Sequence, residues 1–186
     1  MERISKSKLF SGLVLAFVVA ISGFALAACG ASHEEKEGIV EGEPVALGDL
    51  EYNVLFTRPL NINDVEDAEY LVGKEEAPAE KMWIGVFVKI HNLSEDKAHQ
   101  IPETFEIETT SGRKYQNVPS ESIYALQPGL TLEPEANEPV VDSSAQVGPI
   151  QASMLLFLMD RSSAEERPVK LIIEGEEGPA TVDLDL

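Results

Sequence analysis

The chain has 186 residues, with 33 Asp and Glu against 14 Lys and Arg, and a formal charge of −19. So acidic a body excludes nucleic acid as a partner, because phosphate contacts demand a basic face. A single cysteine excludes an internal disulfide, and the length suits one domain that buries its own core without such a staple.

Residues 1–8, MERISKSK, carry Arg3, Lys6 and Lys8 against Glu2, and Leu9–Phe24 follows without a charge. A basic start, a short apolar run and the small residues Ala25, Ala27 and Ala28 predict a secretory signal peptide over 1–28 rather than a membrane-spanning helix. Leu26-Ala27-Ala28-Cys29 resembles the lipobox of bacterial lipoproteins. The resemblance implies cleavage between Ala28 and Cys29, diacylglycerol on the Cys29 sulfur, and a cell-membrane protein anchored by lipid on the extracytoplasmic face. Two or three acyl chains, at about 0.8 kcal/mol per methylene, hold firmly where one chain binds reversibly. A thiol used in this way is no nucleophile, redox centre or disulfide partner. Gly30 stands where the inner-membrane retention signal of enteric bacteria has Asp. Removing residues 1–28 takes away three cations and one acid, which deepens the charge to −21. Cations, cationic glycans or basic protein surfaces are the partners such a charge favours, and its plainest role is to keep an exported domain soluble.

Residues 30–46, GASHEEKEGIVEGEPVA, are rich in Gly and Glu without apolar periodicity, and together with Cys29 they read as an acidic flexible tether over 29–46. Such a segment has a root-mean-square reach of about 20–25 Å. A domain over 47–186 follows. Leu50, Tyr52, Val54 and Phe56 alternate with Glu51, Asn53 and Leu55, as in a strand with one buried face. Asn61 to Lys81 is a long acidic insertion, expected to be disordered. Met82–Ile90, MWIGVFVKI, is apolar on both faces, as a central strand is. Thr104–Thr110 alternates, and Ser111-Gly112 turns it into RKYQNV, a hairpin partner. Gln127-Pro128-Gly129 places Pro and Gly as a type II turn requires, between YAL and LTL. Gln151–Met159 is a second central strand, and Pro168–Glu174 and Thr181–Leu186 complete the set. Ser120–Ala125 and Arg161–Glu166 read as helical turns in connections.

The pattern predicts an all-β antiparallel sandwich of about 7–9 strands. Trp83, Val86, Val88, Ile90, Asn92 and Ser94, then Phe105, Ile107, Gly112 and Tyr115, then Leu126, Pro128 and Gly129, form an ordered run. It resembles the immunoglobulin-like domain of secreted bacterial lipoproteins related to the mycobacterial immunoprotective extracellular antigens. The resemblance covers Leu47 to Leu186 and implies an immunoglobulin-like β-sandwich at the cell surface. It transfers no functional residue, since that group mostly lacks an assigned activity. The segment EPEANEPVVD departs from the pattern, being richer in Pro and Glu than the strand usual there.

Candidate chemistry is sparse. Ser94-Glu95-Asp96-Lys97 matches the S-x-x-K of penicillin-binding enzymes, but it follows a strand in a polar loop, and no S-D-N or K-T-G accompanies it. Asn92-Leu93-Ser94, a formal glycosylation acceptor, reads as a turn. His91 and His99 flank Glu95 and Asp96 but lack the further ligands zinc requires, so they and His33 read as exposed loop residues. Asp64, Glu66 and Asp67 offer oxygens to a calcium ion, without the glycine and acidic positions of an EF-hand. Trp83, Phe87 and Phe157 read as core. No nucleotide-binding loop, nucleophile elbow or H-E-x-x-H is present. The expectation is therefore not an enzyme and no cofactor. It is a lipid-anchored binding or interaction module of the cell envelope with a protein, glycan or small-molecule partner. The alternatives are a calcium-dependent adhesion module and an accessory subunit of an envelope enzyme or transporter.

Overall fold

The computed structural model describes residues 35–186, which belong to a compact unit spanning Ala31–Leu186. The expected signal peptide, Ala28, Cys29 and His33 lie outside the described residues. The strands are β1 (Lys36–Val40), β2 (Pro44–Leu47), β3 (Leu50–Leu60), β4 (Lys81–Asn92), β5 (His99–Gln100) and β6 (Glu106–Glu108). They continue with β7 (Lys114–Val118), β8 (Thr131–Leu132), β9 (Asn137–Glu138), β10 (Ser153–Asp160), β11 (Val169–Ile173) and β12 (Ala180–Leu184). Two four-residue helical turns, α1 (Val65–Ala68) and α2 (Ser144–Val147), and a 3₁₀ turn over Arg161–Glu165 lie in the connections.

The hydrogen-bonded path runs β1-β12-β11-β6-β7-β10-β4-β3-β2 and folds over at β7. Lys114, Tyr115 and Gln116 pair with β6, while Asn117 and Val118 pair with β10. One strand thus belongs to both layers. Ile107, Leu171 and Val182 from one layer meet Val54, Val86, Leu155 and Phe157 from the other in the main core. Full burial of each such side chain contributes about 1.5–3 kcal/mol. The architecture is the expected all-β sandwich, with one parallel pair, β1 on β12, in an otherwise antiparallel set.

The doubly apolar strands have a second function in packing. On β4, Ile84, Val86 and Val88 face the main core, whereas Trp83 and Phe87 face outward with Leu60, Met154 and Leu156. The connection 61–80 covers that outer face: Tyr70 and Leu71 are buried against it, and Phe87 stacks on Phe56 at 4.7 Å and meets Tyr70 edge-on at 5.3 Å. The expected disordered insertion is therefore ordered. Its acids obscure two apolar anchors that an exposed sheet face needs as a lid.

The tether is also corrected. Its residues from Lys36 onward form β1 and β2, Val45 and Leu47 are buried, and Ile39 packs on the core, so the domain begins at Lys36 rather than residue 47. Gly38, at φ 76°, sits where the pairing of β1 with β12 shifts register, and this bulge breaks the alternation that marks a strand. Two-residue strands β5, β8 and β9 bring the described strands to twelve, above the 7–9 expected. Ser120–Ala125 is a non-helical turn, while Arg161–Glu165 is helical as predicted. Gly112 at φ 79° and Gly129 at φ 78° make the turns their positions predict.

Candidate functional site

Two of the three residues singled out for metal binding, Asp64 and Asp67, are occupied with holding the lid. Asp64 caps α1, its Oδ1 accepting from the backbone N–H of Glu66 at 2.9 Å and of Asp67 at 3.3 Å. Asp67 Oδ1 lies 2.5 Å from an Arg58 nitrogen, and its Oδ2 accepts from the N–H of Asn61 at 2.9 Å. Glu66 is exposed. Among the described residues no three His, Cys, Asp or Glu side chains gather in a metal-binding arrangement. His91 is a half-buried residue of β4 rather than a loop residue, and His99 lies in β5 with Nε2 3.0 Å from Asp49 Oδ2.

Ser94 and Lys97 form a turn, not a nucleophile and its base. Ser94 Oγ accepts from the backbone N–H of Lys97 at 3.1 Å and donates to Asp96 Oδ1 at 3.2 Å. Asn92, fully buried, organises the loop: Nδ2 donates to the carbonyls of Lys97 (2.8 Å), Leu132 and Glu133 (both 3.0 Å), and Oδ1 accepts from the N–H of Ser94 at 3.0 Å. Phe87 and Phe157 are fully buried and Trp83 donates from Nε1 to the Glu75 carbonyl at 3.0 Å, so all three are core.

A second polar cluster closes the opposite end of the sandwich. Tyr115 OH meets Asp160 Oδ2 at 3.0 Å and buried Ser163 Oγ at 2.8 Å. Glu166 accepts from Ser111, from Thr109 at 3.0 Å and from Arg113 at 2.5 Å. The Ser111 hydroxyl, then Thr109 and Arg113, hold the Glu166 carboxyl below its ordinary range. These contacts tie the β6–β7 turn to the connection after β10, and every group in them is matched within the protein.

The segment from Glu135 to Gln151 behaves differently. Among the described residues, the non-glycine positions with positive φ all fall here: Glu135 at 57°, Asp142 at 64° and Gln151 at 59°. Left-handed backbone costs about 1–2 kcal/mol per residue for L side chains, and such outliers concentrate where a segment is shaped for a purpose beyond packing. Val140, Val141 and Val147 are more than half exposed in the same segment. It borders an open recess of about 200 Å³ lined by Lys89, Asn137, Glu138, Pro139, Val141, Gln146 and Gln151. Register places these groups. β9 takes over the edge of β4 where β10 ends, with Glu138 opposite Ile90 and Ser153 opposite Val88, so the Glu138 carboxyl lies on the main-core face, where its Oε1 accepts from the Ser153 hydroxyl, while Lys89 and Asn137 lie on the outer face. Burial pushes the Glu138 carboxyl up, and the Ser153 hydrogen bond offsets part of that shift. A larger cleft of about 410 Å³ opens between Leu47–Leu50 and Glu174–Glu176, but it is acidic and its histidine, His99, already faces Asp49.

Among solved structures, an uncharacterized β-sandwich protein from Clostridium difficile 630 aligns at a TM-score of 0.50 and 13% identity, over 82% of this chain and 95% of its own. The yjhA protein from Bacillus subtilis aligns at 0.55 and 14% identity, over 80% and 100%. The chain is a β-sandwich. Identities this low show the fold alone. No family model matches the chain, and no curated protein does.

Motif reading missed the Glu138 recess because its groups come from two strands and a connection, with no fixed spacing to detect. A signal was nevertheless present: EPEANEPVVD, the stretch that departs from the resembled pattern, contains Glu135, Glu138, Val141 and Asp142.

Proposed function

We propose that this protein is a lipid-anchored binding module on the extracytoplasmic face of the cell membrane, fixed through Cys29 and free of catalytic duty. The basic start, the uncharged apolar run and Leu26-Ala27-Ala28-Cys29 support this most directly. Six residues separate Cys29 from Lys36, where β1 starts, and the seven steps between them, at about 3.6 Å each, reach no more than about 25 Å. A lipid on Cys29 therefore keeps the sandwich close to the bilayer instead of releasing it on a long tether.

β1 starts beside the β11–β12 connection, with the Lys36 N–H bonded to the Pro179 carbonyl at 3.0 Å. The end at which β1 starts thus carries Asp49, Glu174, Glu176 and Glu177. Anionic headgroups repel that end over about one Debye length, roughly 8 Å at physiological salt, which favours a sandwich standing off the surface with its sides accessible. The polar recess beside β9, at the edge of β4, supplies the binding part of the reading.

Metabolic labelling with a clickable fatty acid tests the anchor. The expected result is label on the wild-type chain, none on Cys29→Ala, and retention of residues 1–28 when lipoprotein signal peptidase is inhibited. Label persisting on Cys29→Ala, or a wild-type chain released without lipid, overturns it.

A further inference from the structure

We infer that the outer side of the β10-β4-β3-β2 layer docks a basic, amphipathic polypeptide, its apolar face on Val72, Ile123 and Val147 around Tyr124 and its lysines or arginines against Glu69, Glu121 and Asp142. The inference rests on the binding-module reading and names the partner that the module takes. The connection between β9 and β10, which borders the recess, forms one flank of this surface.

Among the described residues, the exposed large aliphatic side chains other than Val40 and Leu93 lie on three connections. Val65 and Val72 belong to the lid, Ile123 to the connection between β7 and β8, and Val140, Val141 and Val147 to that between β9 and β10. All three connections cross the outer face of one layer, since Tyr70 and Leu71, Tyr124, and Ile150 join the same apolar cluster as Trp83 and Phe87. They meet at Tyr124. Its ring lies 5.0 Å from that of Tyr70, and its hydroxyl lies 3.1 Å from Glu69 Oε2. A Cβ on Gly148 would stand 3.3 Å from Tyr124 Cε1, and one on Gly73 would stand 2.8 Å from a Glu121 oxygen. Val72, Ile123 and Val147 are the chain neighbours of Gly73, Tyr124 and Gly148, so three exposed aliphatics gather round one tyrosine. Scattered apolar residues on a surface need no explanation, whereas their concentration on one side marks an interaction surface.

Charge selects the occupant. Glu69, Glu121 and Asp142 form no ion pair within 4 Å among the described residues, and the lid adds Glu66, Glu75 and Glu76 against Lys74 as its one cation. A bilayer with anionic headgroups and a second copy of this acidic chain both bring like charge to that rim and are repelled by it. A polypeptide whose apolar face is edged with Lys or Arg covers the aliphatics and meets the carboxylates at once, and such rim charges set partner choice. β3, β4 and β10 are each paired on both sides, so the partner meets side chains rather than a free strand edge, as an amphipathic helix does.

The test uses the chain from Ala31 onward, which contains the whole compact unit. A helical leucine–lysine peptide, its lysines along one side, is titrated to about 100 μM at about 0.15 M salt while backbone amide resonances are followed by NMR. Oligolysine of equal charge lacks the apolar face, the leucine–glutamate analogue reverses the charge, and vesicles of phosphatidylcholine with phosphatidylglycerol present an anionic bilayer. The expected result is saturable shifts from the leucine–lysine peptide centred on Glu69–Gly73, Glu121–Tyr124 and Val140–Gly148. Oligolysine and the leucine–glutamate peptide are expected to bind about tenfold or more weakly, and so is the leucine–lysine peptide to a chain carrying Ile123→Asn with Val147→Asn. Glu121→Gln with Asp142→Asn is expected to cost about threefold, and Leu93→Asn, an exposed position elsewhere, nothing. Melting curves exclude unfolding as the cause, since every substituted position except Asp142 and Glu121 is an exposed aliphatic and those two are exposed acids. Absence of saturable shifts, equal affinity for oligolysine, or binding unchanged by Ile123→Asn with Val147→Asn overturns the inference. A preference for the vesicles over the peptide, or a dimer that the same two substitutions abolish, also overturns it by assigning the face to a membrane or to a second copy. Each of these failures leaves the Cys29 labelling result untouched, so the two readings fall separately.

Discussion

Arg58, near the end of β3, and Asp67, in α1, lie 2.5 Å apart and fasten the 61–80 connection to the sheet it covers. Asp67 is 7% exposed at its side chain and Arg58 35%, so the pair is partly screened. Asp67→Ala strands the guanidinium and removes the acceptor for the Asn61 N–H, an expected loss of about 2–3 kcal/mol. Leu71→Ala, which leaves a cavity under the same lid, is expected to lose about 2–5 kcal/mol. Urea midpoints at unchanged slope check both. A midpoint unmoved by Leu71→Ala means the lid does not pack as described.

Glu138 makes the opposite kind of prediction, since its native carboxyl titrates above the ordinary value. The native state then holds the proton more tightly than the unfolded chain, so stability falls as pH rises through the window between the two values. Glu138→Gln removes the buried charge. At pH 7 the variant is expected to be at least as stable as the wild type, and below the ordinary carboxyl value of 4.5 the two should converge. Denaturation midpoints across that window check the sign; a variant less stable at pH 7 than at pH 4, relative to wild type, contradicts it.

How far the sequence reveals this molecule depends on which interactions are local. The alternation in Leu50–Phe56 and the double apolarity of Met82–Ile90 report β3 and β4 directly, because side-chain period follows strand geometry. The lid is invisible in that way. Its order comes from Tyr70 and Leu71 reaching a sheet face assembled from β3, β4 and β10, while its composition is that of a disordered acidic loop. β1 is hidden for a related reason: its pairing is with β12, at the far end of the chain, and most of its side chains remain exposed. The recess is the extreme case, since Lys89 and Gln151 are 62 positions apart and meet only through strand register.

Glu166 lies on the acid limb of stability. Hydrogen bonds from Ser111 and Thr109, with Arg113 beside it, hold its carboxyl below the ordinary range, so its contribution is present above the unfolded pKa and is lost as pH falls through the folded one. Glu166→Gln is therefore expected to lower the melting temperature at pH 7 and to have no effect at pH 2. Added salt should shrink the pH 7 difference only in part, because the Arg113 attraction is screened and the two hydroxyl bonds are not. A difference that is the same at both pH values assigns Glu166 a packing role instead.

Asn92 provides the sharpest test of how the sandwich end is built, because its single side chain satisfies three carbonyls and one N–H from two separate loops. Asn92→Ala leaves those groups without partners in a site closed to water. Each buried orphan costs about 1–3 kcal/mol, and partial relaxation of the loops reduces the sum to an expected loss of about 3–5 kcal/mol. Asn92→Asp is expected to be as damaging at pH 7, since it exchanges the donor amide for a charge facing three carbonyl oxygens, and to recover partly in acid as the carboxyl takes up a proton and can donate once. Hydrogen exchange locates the effect: amides of Leu93, Ser94 and Ala136 should lose protection first, while those of β4 and β10 at the centre of the sheet keep theirs. Uniform loss of protection instead makes Asn92 part of the global core rather than the clasp between the 92–97 and 132–136 loops.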